Sequence, residues 1–151
     1  MELNYRNKNR GYQRLLVWQD AIELYGLSCR LVRRWPFEMK RIASQTISSS
    51  DSVHRNIAEG YCRRSVKEYL HHLNIALGSL GETMSGFVAY VRNDQITEVQ
   101  FKEIDQLIFR LENRLDKLEE TIQRKGDEGE WEVSLDPKED TSDPGLANGG
   151  D

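Results

Sequence analysis

Apolar residues recur along this chain at helical spacing in four separate runs. The clearest is Val66, Leu70, Leu73, Leu77, Leu80, Met84, Phe87 and Val91, whose alternating steps of four and three are the rhythm by which a helix lays a seam against its neighbours. It begins with Ser65 and Glu68 as a capping box, the hydroxyl serving the first turn and the carboxylate reaching back to the Ser65 amide. A later run, Phe101, Ile104, Ile108, Leu111, Leu115, Leu118 and Ile122, has the same device in Thr97 and Gln100. It stops at Arg124 and Lys125 with Gly126 beyond, bases and a glycine being favourable at a carboxyl end.

The first run spans residues 15 to 35. Val17, Ala21, Leu24, Ser28, Leu31 and Trp35 form one side, with Trp18, Ile22, Tyr25, Cys29 and Val32 beside them, and Pro36 ends it by disfavouring helical geometry in the residue before. The second, residues 39 to 59, has Ile42, Thr46, Ser49, Val53 and Ile57 at helical spacing. Its "SQTISSSDS" has poor helix propensity and is expected to fray.

Together these runs predict an all-α protein, an antiparallel up-down-up-down four-helix bundle over residues 15–125, with short connections at 36 to 38, 60 to 64 and 93 to 96. Residues 1–14 are expected to be a flexible basic arm and 126–151 an acidic, disordered tail. Gly78, Ser79, Gly81, Ser85 and Gly86 thin one surface of the third helix, either for close packing inside the bundle or for contact with a second copy.

Composition agrees with wetted amphipathic helices: 151 residues suit one domain, with 38% hydrophobic and 30% charged positions. The net charge of −4 is divided unevenly. Residues 126–151 hold nine acids and one base (−8), leaving 20 bases and 16 acids (+4) in the rest. Cys29 and Cys62 are too few and too far apart for a disulfide framework or a metal pair and are expected to be free thiols. No apolar run is long enough to span a membrane and "MELNYRNKNRGYQR" lacks a secretion segment, so a cytoplasmic location is expected.

The stretch "NIAEGYCRRSVKEY", residues 56 to 69, joins the second and third helices. Gly60 is read as a left-handed helix end and Ser65 as the next start. Glu59 lies in a last turn, where the helix dipole disfavours an acid unless a base such as Arg63 or Arg64 pairs with it. Asn56 either bonds buried groups at this corner or fixes subunit register. Asn56, Glu59, Gly60, Ser65 and Glu68 are therefore assigned as a structural corner.

With "LLVWQDAIEL" (15 to 24), "NIAEG" (56 to 60), "RRSVKEY" (63 to 69) and "IALGSLGE" (75 to 82), the chain resembles the bacterial four-helix bundle proteins encoded in intervening sequences of 23S ribosomal RNA genes, also called S23 ribosomal proteins. The resemblance covers about residues 12 to 124. It implies a left-handed bundle assembled as a homo-oligomer, commonly a homopentamer. It also implies kinship with the accessory variability determinant of diversity-generating retroelements, which binds a reverse transcriptase and nucleic acid through basic surface. The family's motif residues fall on Trp18, Gln19, Asn56, Glu59, Gly60, Arg64, Lys67 and Glu68. Where the family has two arginines after a glutamine, this chain has Ile47 and Ser48 after Gln45, with Asp51 nearby.

Alternating helix direction gathers Arg6, Lys8, Arg10, Arg14, Arg55, Arg63, Arg64, Lys67, Arg124 and Lys125 at one end. Of these, Arg10, Arg14, Arg55, Arg63, Arg64, Lys67, Arg124 and Lys125 are the candidate contacts to RNA or DNA phosphates. Arg30, Arg33, Arg34, Lys40, Arg41 and Arg92 form a second basic set at the opposite end. The acidic tail leaves from the first end, where it can cover the bases, act as a solubilising arm or bind a basic protein. Histidines occur only at 54, 71 and 72, and "EYLHH" lacks the further glutamates and second Glu-x-x-His of a carboxylate-bridged metal site. No glycine-rich phosphate cradle, nucleophile elbow or zinc spacing is present, so neither enzymatic activity nor a cofactor is expected. The function expected is a non-catalytic oligomeric adaptor, weakly nucleic-acid-binding. The alternative is a structural or protein-binding bundle with solvated ends.

Overall fold

The computed structural model describes residues 8–129. Four α-helices, α1 (Leu16–Val32), α2 (Lys40–Tyr61), α3 (Val66–Arg92) and α4 (Glu98–Asp127), form the body, with 3₁₀ segments at Lys8–Arg14 and Phe37–Met39. Each helix packs on the one before it, and α4 closes against α1, giving the expected antiparallel four-helix bundle. Leu24, Ile57, Leu73, Leu80, Phe87, Ile104, Ile108, Leu111, Leu115 and Leu118 are fully enclosed. Each such side chain contributes about 2 kcal/mol of transfer free energy.

The boundaries differ from the periodicity by a few residues, each for a local reason. α1 ends at Val32 because Trp35 turns inward, its ring standing edge-on to Tyr90 at 4.8 Å, before the extended geometry at Pro36. Of the arm expected over 1–14, residues 1–7 lie outside the described residues. Lys8–Arg14 form a 3₁₀ segment packed on α1 and α2, with Tyr12 against Trp18 and Tyr61. At the other terminus α4 continues through Gly126 to Asp127. Gly126, expected beyond the helix, falls inside it, and Gly129, with φ +70, supplies a left-handed turn after its end. The rest of the acidic tail, 130–151, lies outside the described residues.

α2 is unbroken where fraying was expected. Its hydroxyls are occupied: Thr46 donates to the Ile42 carbonyl (3.0 Å), Ser49 to Thr46 (3.2 Å) and Ser50 to Ile47 (3.0 Å). Several also meet partners on α3. Ser49 accepts from Thr83 (2.9 Å), Ser52 pairs with Ser79 (2.8 Å), and Thr46 shares a short bond with the Tyr90 hydroxyl (2.5 Å). Tertiary partners thus offset the weak propensity of the serine run.

The same ladder moves the seam of α3. Leu73, Leu80 and Phe87 are enclosed as the spacing predicts, but Val66, Leu70, Leu77, Met84 and Val91 are only half-buried. The inward stripe is Tyr69, Leu73, Ala76, Leu80, Thr83, Phe87 and Tyr90. Its α2-facing half is hydroxylated or small, so hydrophobic periodicity registers only the row toward α4.

Candidate nucleic-acid interface and the α2–α3 corner

The corner is built around a close approach of two helices. α2 runs through Gly60 to Tyr61 in right-handed geometry, so Gly60 is not the left-handed end expected of it. A Cβ at Gly60 would stand 3.0 Å from the His72 Cβ and 3.2 Å from the Tyr69 carbonyl oxygen, distances tighter than ordinary packing. Glycine is required there by proximity to α3.

Asn56 lies one turn earlier, half-buried, and its side chain is fully bonded at the corner. Its amide donates to the Ser52 carbonyl (2.8 Å) and hydroxyl (3.0 Å), and its carbonyl oxygen meets Nδ1 of His72 at 3.3 Å. Glu59 is paired as its place in the last turn demands: Arg63 donates to it at 2.7 Å, and His72 stands 3.8 Å from its other oxygen. The Arg63 bond, then the His72 charge, hold the Glu59 carboxyl below its ordinary pKa. Ser65 caps α3 by accepting from the Glu68 amide (3.2 Å), as expected. The Glu68 carboxylate, however, takes the Ser65 hydroxyl (2.9 Å), whereas at α4 Thr97 and Gln100 complete the full reciprocal box.

Around this corner the chain brings part of the basic set together. Arg10, Arg63, Arg64, Lys67 and Arg124 are exposed and Arg14 is half-buried. Arg55 is exposed, with its guanidinium bonded to Asp51 one turn back. Burial pushes the Asp51 carboxyl up, but the bonds from Arg55 and His54 outweigh it and hold the group below its usual range. Lys125 is only 8% exposed, so it contributes little to the outer surface. Beneath the bases Tyr12, Trp18, Tyr61 and Tyr69 form a chain of ring contacts at 5.5 to 6.4 Å that closes this end of the core; of these the apolar spacing singles out Trp18 but not the three tyrosines.

Charge is not uniform around the end. Arg64 and Lys67 line the α3–α4 groove next to Val66, whereas further along α4 brings Glu119, Glu120, Asp127 and Glu128, with Arg124 among them, to the groove it forms with α3. Burial and then the neighbouring Asp116 raise the Glu119 carboxyl, and burial followed by Asp116 and Asp105 does the same for Glu112. Of the second basic set, Arg30, Arg33, Arg34, Lys40, Arg41 and Arg92 are all exposed, and Phe37, 83% exposed, has the Lys40 ammonium 5.9 Å from its ring centroid.

The small residues of α3 divide. Ser79 serves the α2 ladder, and Gly86 lies under the Tyr90 ring. Gly78 and Gly81 have open space where a Cβ would stand, so intrachain packing does not account for them. Ile75, 39% exposed, lies on the same outer face.

The interhelical ion pair that sequence reading missed lies between α1 and α4. Asp20 is buried, and its carboxylate accepts from Arg110 (3.1 Å) and Arg114 (2.6 Å); Arg110 also reaches Glu23 at 3.2 Å. Two arginines four residues apart opposite an acid within an apolar face were the available signal.

Among the described residues no group of three or more His, Cys, Asp and Glu stands where it would hold a metal ion, and no helix is long and apolar enough to cross a membrane. Cys29 and Cys62 are thiols that form no disulfide. Burial raises the Cys62 thiol against the pull of Arg63, opposite to the shift a nucleophilic cysteine needs. Comparison with curated proteins finds no match. Residues 13–117, which include the α1 start, the corner and most of α4, match the family described as 23S rRNA-intervening sequence protein. The chain, with the four-helix fold and the corner motifs that its sequence led us to expect, belongs to the 23S rRNA-intervening sequence protein family.

Proposed function

We propose that this protein is a non-catalytic helical adaptor that associates with copies of itself through the outer face of α3 and presents its basic end to RNA or DNA. The observation that carries this reading is the surface of α3. Gly78 and Gly81 each cost about 1 kcal/mol in a helix interior relative to alanine, and a Cβ at either would stand in open space. Ile75 flanks them, and a second helix can approach closely over such a face. Closed symmetry repeats whatever lies at the end of each protomer. Arg10, Arg14, Arg63, Arg64, Lys67 and Arg124 would then recur around one rim, with Arg55 lower on α2 and Lys125 behind it. Repeated phosphate contacts yield salt-dependent binding without sequence reading. A homopentamer is the assembly that the resemblance implies, and recruitment of a protein partner such as a reverse transcriptase is the further role that it implies.

The test is an anisotropy titration of a fluorescent oligonucleotide at two salt concentrations. Binding should weaken as salt rises and be lost when Arg10, Arg14, Arg63 and Arg64 are replaced together by Ala. Unchanged binding by that variant would remove the basic end from the account.

A further inference from the structure

The connection between α1 and α2 carries groups that the bundle itself does not use. Arg33, Arg34, Lys40 and Arg41 are all exposed there, with Glu38 the acid among them. None of the four makes an ion pair with a described residue, whereas at the α2–α3 corner Arg55 and Arg63 are held by Asp51 and Glu59. Lys40 and Arg41 stand in the first turn of α2, where the helix dipole disfavours a cation. Between these bases lies Phe37, 83% exposed, more than any other large hydrophobic residue described.

The backbone holds that ring outward. Pro36 enters in extended geometry, and the Met39 amide closes a 3₁₀ turn on the Pro36 carbonyl at 2.9 Å. Trp35, two residues before Phe37, points instead to the core, edge-on to Tyr90. That contact, with the bond from the Gln95 amide to the Met39 sulfur (3.7 Å), ties the end of α3 to this turn. Arg92 lies between Tyr90 and Gln95, exposed and likewise without an ion pair among the described residues. The exposed Asp94 is the acid of that segment.

A single exposed ring needs no explanation. A ring set among cations that no acid neutralises does, because like charges held together repel and an anion relieves them. Single-stranded nucleic acid offers both partners at once: phosphates for the bases and, unlike a duplex, a free base face for the ring. A membrane surface fits less well, since interfacial binding grows with buried apolar area and this turn presents one ring with Glu38 next to it. We propose that the α1–α2 turn is a second nucleic-acid site, selective for single strands, in which Phe37 stacks on an unpaired base and Arg34, Lys40 and Arg41 take the flanking phosphates. Arg33 and Arg92 add longer-range attraction. In an antiparallel bundle this turn and the α2–α3 corner lie at opposite ends, so the site is independent of the basic rim.

The test is anisotropy with two fluorescent single strands of equal length and charge, an oligothymidylate and its abasic counterpart. The full chain should bind the thymidylate about tenfold more tightly, the worth of one stacked base. Phe37→Ala should erase that preference, Phe37→Trp should keep or widen it, and replacing Arg34, Lys40 and Arg41 together by Ala should weaken both strands and flatten the salt dependence. The preference should survive in the variant lacking Arg10, Arg14, Arg63 and Arg64, which separates this site from the rim. Equal binding of the two strands by the wild type, or a preference that Phe37→Ala leaves intact, overturns the proposal. So does Phe37-dependent binding to phosphatidylserine vesicles without any base preference, which makes the turn a membrane contact, or a lower native mass of Phe37→Ala, which makes the ring a subunit contact.

Discussion

The interface of α1 with α4 and that of α2 with α3 answer the same demand, burial of a helix face, in different ways. α1 and α4 meet through leucines and isoleucines, with one buried carboxylate, Asp20, held by Arg110 and Arg114. α2 and α3 meet through paired hydroxyls, the Asn56–His72 contact and a glycine. Between α1 and α4 the apolar surface supplies the energy, and the ion pair specifies which faces meet. Between α2 and α3 small side chains let the backbones come close, and each polar atom so enclosed requires a partner from across the interface.

The largest effect is expected where a charge would be stranded. Replacing Arg110 and Arg114 together by Ala leaves Asp20 buried without its cations and should cost about 3 kcal/mol, the low end for a broken buried pair because the arginines are themselves partly wet. Asp20→Asn should cost less. Chemical denaturation measures both, and equal losses would mean that the pair is incidental to α1–α4 packing.

On the α2–α3 side Gly60→Ala should destabilise by about 1–3 kcal/mol, because the new methyl has only the His72 side chain and Tyr69 backbone to push against. The same change at Gly78 or Gly81 adds a methyl to open space and should stabilise an isolated protomer by up to about 1 kcal/mol. If Gly78→Ala or Gly81→Ala also lowers the assembly mass, the outer face of α3 is the subunit contact.

The hydroxyl ladder invites a double-mutant cycle. Ser49→Ala and Thr83→Val should each cost about 1–2 kcal/mol, and the pair should cost less than their sum by about 1 kcal/mol. Strict additivity would mean that the two hydroxyls do not depend on each other.

The smallest effect is a pH dependence on α4. Glu112 and Glu119 have folded-state pKa values raised by burial and by neighbouring acids. Their protonated forms are therefore favoured by folding: the stability they contribute is full below the unfolded pKa and is lost as pH rises through the folded one. Glu112→Gln/Glu119→Gln should accordingly flatten the decline in stability between acidic and neutral pH, as thermal unfolding at several pH values would show.

This contrast also explains what was legible in the sequence. In α4 the apolar spacing follows most of the true seam: Ile104, Ile108, Leu111, Leu115, Leu118 and Ile122 are enclosed, while Phe101 is half-buried and the seam also takes in Leu107, Thr121 and Lys125. In α3 the inward face includes Thr83 and Tyr69, so the apolar row pointed about one residue to the side of the true seam. The Glu59–Arg63 pair and the Thr97 box were legible because they are local, whereas Asp20 with Arg110 and Arg114 depends on residues some 90 positions apart. Gly60 and Gly126 were recognised as special for the wrong local reason. Both mark close helix approach, a property of the partner helix that no short window contains.

The account's central claim is that the open face of α3 is covered by another copy. Native mass measurement of the full chain across a range of concentrations tests it most directly. A discrete multiple of the 17.6 kDa protomer, fivefold for a pentamer, is the predicted result. A single 17.6 kDa species persisting at high concentration would contradict it.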